Sequence, residues 1–207
     1  DLRYTTQQSD RIVPSGIEEL RVAGFVQAQW NPIEDLQLTG GVRLDVNSVT
    51  DPALSPRLVA VWRPWPRQSF RLGYGLAFRK PSFIEAQVHL EVEEYNEAFP
   101  EVVDLLAEQF GNPALRNEKV HSFEAGWRGG FFDEHLVVIL DLFHNIYLDS
   151  IGYVVDIPPR MGLPDIANAT LQFQNESGRV EAAGGELEAR LRTAAHWTLW
   201  ANLGLRR

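Results

Sequence analysis

The stretch Ser69–Glu85, SFRLGYGLAFRKPSFIE, decides how the chain is read. Its even positions Phe70, Leu72, Tyr74, Leu76 and Phe78 are large and apolar. Its odd positions Arg71, Gly73, Gly75, Ala77 and Arg79 are charged or small. Strict alternation of this kind is the mark of a strand with one apolar and one polar face. The run is also longer than the usual five or six residues of a globular strand. It matches the roughly 9–11 residues that a tilted strand needs to cross a bilayer. Arg79-Lys80-Pro81 ends it, because proline cannot continue the ladder.

Working outward, the same alternation returns on both sides. Leu20, Val22, Gly24, Val26, Ala28 and Trp30 share one face, and Leu36, Leu38, Gly40, Val42, Leu44 and Val46 share another. Further strands are expected at 55–63, 118–128, 135–148, 184–192 and 197–205, with a strand end at 2–8 and an extension at Thr170–Asn175. Short turns fall at 31–35, 64–68, 129–134 and 193–196, and longer loops at 9–17, 48–54, 80–117 and 149–179. Short and long connections alternate throughout, as in outer-membrane barrels with tight periplasmic turns and long external loops. Trp30, Trp62, Trp65, Trp127 and Trp197, five of the six tryptophans, lie beside short turns. One rim thus carries an aromatic girdle of the interfacial kind. A soluble β-sandwich or barrel has the same period; strand length, loop alternation and rim tryptophans favour the membrane. On that reading Arg43, Arg71 and Arg190 face the lumen.

Composition narrows the function. The 207 residues are 44% hydrophobic without any apolar run long enough for a transmembrane helix, and barrel strands need none. A net charge of −9 argues against nucleic acid, whose binding rests on Lys and Arg neutralising phosphates. With no cysteine, thiolate metal sites and Cys nucleophiles are excluded. His89, His121, His135, His144 and His196 have no paired ligand spacing. No Gly-Xaa-Ser-Xaa-Gly elbow, phosphate loop or His-Glu-Xaa-Xaa-His occurs. No catalytic, cofactor-binding or metal-binding residue is therefore expected, and the ligand-binding residues stay unassigned.

Three blocks carry a family resemblance. They are Leu54-Ser55-Pro56-Arg57-Leu58, then Tyr74-Gly75-Leu76-Ala77-Phe78-Arg79-Lys80-Pro81-Ser82-Phe83-Ile84-Glu85, then Gly111-Asn112-Pro113-Ala114-Leu115-Arg116-Asn117-Glu118-Lys119 running on to Ser122-Phe123-Glu124-Ala125-Gly126-Trp127. Leu140–Asn145 with Asp149-Ser150-Ile151, and Gly184-Gly185-Glu186-Leu187-Glu188, add to the set. In this order they resemble the barrel of TonB-dependent outer-membrane receptors of Gram-negative bacteria, over about residues 18–205. The resemblance implies an antiparallel up-and-down transmembrane barrel of about 22 strands around a plug. It also implies energised uptake of a scarce nutrient such as a ferric siderophore, cobalamin or a glycan. The partners it implies are a periplasmic TonB protein, an extracellular small-molecule ligand and outer-membrane lipid. Residues 1–207 hold about eight or nine strands and one short helix in a long external loop, with no plug and no aromatic-ended last strand. An interior fragment of the barrel is expected, and transport is not a property of that piece alone. The alternatives are a self-contained eight-stranded outer-membrane barrel and, further off, a soluble β-rich carbohydrate-binding domain.

Several residues are candidates for binding. The loop acids Glu85, Glu91, Glu93, Glu94, Glu97, Glu101, Asp104 and Glu108 suggest a ligand gate or cation site, against a solvated helix face over 100–110. Arg57, Arg63, Arg71, Arg79 and Arg128 suit an anionic ligand or plug carboxylates, against lumenal ion pairs with Asp45, Glu124 or Glu188. Gly41, Gly73, Gly75 and Gly126 leave lumenal space, which suits a plug. Asn168-Ala169-Thr170 and Asn175-Glu176-Ser177 match glycosylation triplets to which this reading gives no role.

Overall fold

The computed structural model describes residues 2–7, 12–13, 17–87, 89–90, 111–156, 159–160, 162–164, 170–193 and 197–207. In chain order its elements are β1 (Leu2–Gln7), β2 (Ile12–Val13), β3 (Ile17–Ile33), β4 (Leu36–Asn47), β5 (Ala53–Trp62), β6 (Gln68–Arg79), α1 (Phe83–Gln87), β7 (His89–Leu90), β8 (Glu118–Phe131) and β9 (Leu136–Leu148). There follow β10 (Ile151–Asp156), β11 (Pro159–Arg160), β12 (Leu163–Pro164), β13 (Thr170–Asn175), β14 (Arg179–Arg192) and β15 (Thr198–Arg206).

One nine-stranded antiparallel sheet dominates, in the order β1-β3-β4-β5-β6-β8-β9-β14-β15. Every large strand pairs with its sequence neighbour in that sheet, so the chain is an up-and-down meander that stays open between β1 and β15. Three small two-stranded pairs, β2-β7, β10-β13 and β11-β12, stand in the long connections.

Register fixes which side chains share a face. One row across the sheet is Trp30, Leu38, Ala60, Leu72, Ala125, Leu142, Gly185, Leu205. The next residues along the same strands form a row on the other face, including Val61, Arg71, Gly126, Asp141 and Glu186. Arg43 and Arg190 fall on this polar face as expected, opposite Ser55 and Trp200. Leucines of the apolar face are open to their surroundings: Leu58 is 59% exposed and Leu72 63%. Among the described residues the buried ones are small or few: Ala53, Pro81, Ala86, Leu115, Asn117, Gly129 and Val137. A sheet that turns a continuous apolar face outward and buries no core of its own needs an apolar medium on that side.

Short turns gather at one rim with the tryptophans. Trp62 stacks at a tilt on Trp65 and Phe70, with ring centroids 6.3 and 5.8 Å away. Trp127 meets Phe131 edge-on at 6.3 Å and donates its indole N–H to Gln68 Oε1 at 2.9 Å. The β8–β9 turn winds through Phe132, Asp133 and Glu134, all with positive φ.

β8 runs on to Phe131, into the turn expected at 129–134, and β5 starts two residues early at Ala53; three further differences have a structural reason. β3 runs through Asn31 and Pro32 to Ile33, where a turn was expected; the register shifts between Trp30 and Ile33. At such an irregularity proline's missing N–H costs no ladder bond. β14 begins at Arg179 rather than 184, because residues 179–183 pair with Leu148–His144 of β9. Thr170–Asn175 forms a separate hairpin with Ile151–Asp156. The helix expected over 100–110 lies outside the described residues; among those described, α1 is the short helix in the long loop.

Candidate functional site: the polar face and the long-loop rim

Along the polar face the charges are arranged in short bridges. Arg71 on β6 reaches across β8 to Asp141 on β9, 3.1 Å away, and lies 3.6 Å from Glu124. The crossing is open because residue 126 is glycine. A Cβ there would meet Asp141 Oδ1 at 2.9 Å and Arg71 Nε at 3.3 Å. The space over Gly73 is taken by Glu124. Of the lumenal glycines read from sequence, Gly126 and Gly73 thus accommodate neighbouring side chains. Gly41 and Gly75 instead line a cavity of about 380 Å³ with Arg43, Arg57 and Ser122, and nothing comes within 4 Å of a Cβ added at Gly75. Arg43 pairs along its own strand with Asp45 at 2.7 Å.

At the long-loop rim two denser networks form. Glu19 accepts from Arg21 at 2.6 Å and also from Asn47 and Lys80. Glu19, Arg21 and Lys80, with Thr50, Pro81, Phe83 and Gln87, line a cavity of about 340 Å³. Arg21 Nε and Gln87 Oε1 are buried in it with no hydrogen-bond partner. Beside it Arg79 is paired with Glu118 and, at 2.9 Å, with Glu85. Ser82 and Glu85 close a reciprocal cap on α1: Ser82 N–H donates to Glu85 Oε2 at 2.7 Å, and Glu85 N–H to Ser82 Oγ at 3.3 Å. Burial would raise the Glu85 carboxyl, but bonds from the Arg79 guanidinium and from Ser82 outweigh it and hold it below its ordinary range. The Ser-Xaa-Xaa-Glu spacing at 82–85 is a capping-box signal in the sequence that the strand-centred reading passes over.

The block Gly111–Asn117 braces this rim. Asn112 Oδ1 accepts Ala114 N–H at 3.0 Å, a local turn, while its amide donates to Phe173 O at 2.8 Å. Asn175 Oδ1 accepts Arg116 N–H at 2.8 Å, and its amide donates to Arg116 O and Asp149 O at 3.0 and 2.7 Å. Asn117 donates to Asp51 O at 3.0 Å. Three connections remote in sequence are thereby tied together by asparagine side chains. Asn175, met in the sequence as part of a glycosylation triplet, is one of those ties.

The sequence candidates do not converge on one point. Arg79 stands at the long-loop rim and Arg71 mid-sheet. Arg128, paired with Glu134 at 3.2 Å, and Arg63 sit with Trp65 and Arg67 at the short-turn rim. Glu91, Glu93, Glu94, Glu97, Glu101, Asp104, Glu108 and Asn168 lie outside the described residues, as does His196, and nothing is described of the His89 side chain. His121, His135 and His144 bind Tyr74 Oη, Phe132 O and Glu181 respectively. Among the described residues no three metal-ligating side chains come together. The arrangement offers donors and acceptors along a wall.

Residues 2–206 match the family model "TonB dependent receptor-like, beta-barrel". The chain belongs to the TonB-dependent receptor family. Solved structures of this family share its fold. The siderophore receptor PirA from Pseudomonas aeruginosa superposes with a TM-score of 0.74 at 19% identity, over 97% of this chain and 36% of that one. A mutant of the ferric enterobactin receptor PfeA of the same species gives 0.70 at 17%, over 97% and 29%. The Serratia marcescens hemophore receptor HasR, solved with its hemophore HasA and heme, gives 0.65 at 15%, over 95% and 35%. The chain thus spans about a third of the length of these receptors. Among proteins with curated descriptions, none matches the sequence. As a TonB-dependent receptor barrel segment the chain has kin that are receptors rather than enzymes, and the family is one of the Gram-negative outer membrane.

Proposed function

We propose that residues 2–206 are an interior segment of a larger outer-membrane barrel of about 22 strands, whose lumen holds a plug. The whole receptor imports a scarce nutrient with energy delivered by a periplasmic TonB protein. A ferric chelate of the siderophore or heme kind is the preferred cargo, with cobalamin or a glycan as other members of the class.

One observation carries this reading: the nine-stranded sheet is apolar on one face, bridged by charge pairs on the other, and open at both edges. Unpaired strand edges are not tolerated in lipid, so β1 and β15 need further strands beside them. The polar face then looks into a lumen wider than nine strands enclose. Arg21, Lys80 and Arg79 at the long-loop rim supply donors where an external ligand first meets the wall.

The test is uptake by cells expressing the complete polypeptide in a Gram-negative host deprived of its own iron receptors. Radiolabelled ferric chelates should accumulate only with TonB present and the inner membrane energised. Accumulation that ignores TonB, or none for any member of the cargo class, would overturn the proposal.

A further inference from the structure

The apolar face changes character towards the long-loop rim. On the row nearest that rim, Phe78, Lys119, Leu148 and Arg179 stand side by side. On the next inward are Leu76, His121, Ile146 and Glu181, then Tyr74, Phe123, His144 and Ala183. Parity puts all of these on the side of Leu72 and Leu142, opposite Arg71 and Asp141.

The polar members are held among themselves. Tyr74 Oη and His121 Nδ1 are 3.0 Å apart, and His144 Nε2 is 3.0 Å from Glu181 Oε2. Arg179 pairs with Glu181 at 2.7 Å, while Lys119 and Arg116 share Asp149 at 3.4 and 2.7 Å. Three fixed cations thus meet two carboxylates, and two imidazoles add donors. The side chains stay accessible: Arg179 is 68% exposed and Lys119 47%. Lys119 and Arg179 flank Leu148 two strand spacings apart, about 10 Å.

Inward of this cluster lies a groove of about 900 Å³ among Leu58, Ala60, Leu72, Ala125 and Leu142. Ala60 and Ala125 form its floor between the leucines, and Phe123 and His144 border it on the side of the cluster. The surface therefore runs from a greasy channel at mid-membrane depth to a cationic patch at headgroup depth. Basic side chains on the outer wall are costly at the bilayer centre and nearly free of cost near the interface, which fits this placement.

We propose that this exterior wall is a binding site for a phosphate-bearing lipid of the outer leaflet. Its phosphate lies between Lys119 and Arg179, and an acyl chain fills the Leu58–Ala60–Leu72–Ala125–Leu142 groove. The patch is net positive and so complements a phosphate. The inference rests on the membrane placement proposed above, not on which nutrient is carried.

The test uses the complete receptor purified in neutral detergent, with native mass spectrometry counting retained lipid after addition of bis-phosphorylated lipid A or its dephosphorylated form. Wild type should hold the phosphorylated lipid in preference. Lys119→Ala with Arg179→Ala should lower that occupancy about tenfold or more, since each basic residue at the surface is worth roughly 1 kcal/mol towards an anionic lipid. Ala60→Leu with Ala125→Leu should lower occupancy by both lipids alike. Equal retention of the two lipids by wild type, no retention of either, or undiminished retention by the charge variant would overturn the proposal. The wild-type comparison stands even where a variant fails to fold. Nutrient uptake measured in parallel separates the two readings: lipid held without uptake sinks the transport proposal and leaves this one.

Discussion

Arg71 and Leu72 are neighbours in one strand, yet they belong to different worlds. Arg71 bridges over Gly126 to Asp141; Leu72 stands in a row with Ala60, Ala125 and Leu142 and is 63% exposed. Backbone, strand and depth are shared, and only the direction of the side chain differs. The working unit of this molecule is accordingly a face, assembled row by row through register, and a strand contributes alternate residues to each.

The comparison can be broken most severely by exchanging the two characters. Leu72→Arg should destabilise the complete receptor in lipid vesicles by about 2–4 kcal/mol, read from its urea unfolding transition. A denaturation midpoint equal to wild type would mean that this face does not meet lipid. A second break is steric and falls on the other face. A Cβ at Gly184 would meet Leu205 O at 2.5 Å and the Phe143 ring at 2.6 Å, so Gly184→Val should cost about 1–3 kcal/mol in the same measurement.

The cap of α1 tests the rim rather than the wall. Glu85→Ala removes the acceptor for Ser82 N–H and half the partners of Arg79, and should reduce amide-exchange protection over 82–87 by about 1 kcal/mol. Acid should do the same to wild type. The Glu85 carboxyl is held below its ordinary value of 4.5, so its contribution is complete above that pH and fades as pH falls through the lower folded value. In Glu85→Gln the part of this fading that belongs to residue 85 should vanish. The smallest effect sharpens the opening contrast: Arg71→Leu on the polar face should change stability by less than about 1 kcal/mol, because its pairs are half-exposed. A loss as large as that of Leu72→Arg would show Arg71 to be shielded from water.

Alternation made the large strands legible, together with the side to which Arg43, Arg71 and Arg190 point. It works because a period of two is a property of the strand itself and of the medium on each face. The Trp30–Ile33 irregularity escaped it, since Asn31-Pro32 reads as a turn wherever a bulge is not foreseen. The rim escaped it for another reason. Asn112 to Phe173 and Asn117 to Asp51 are contacts between connections that no local pattern links. The exterior polar cluster was hidden in plain view: Lys119, His121 and His144 keep the parity of the apolar face, but each strand alone shows them only as isolated exceptions. Arg57 and Arg79 were read as one set and lie at different depths, because sequence gives side but not height.

The asparagine ties at the rim have a consequence for the setting in which the receptor works. They are bonds between neutral amides and backbone groups, whereas the mouth beside them is held by Glu19, Lys80, Arg79 and Glu85. Mobile ions weaken attraction between exposed charges once their screening length shrinks to about 8–10 Å, as it does in physiological salt. Neutral amide bonds carry no such dependence. The carboxylates of the mouth are largely buried, Glu19 13% and Glu85 17% exposed, and lie in direct contact with their partners, so salt loosens them little and both parts of the rim hold their shape from fresh water to brine.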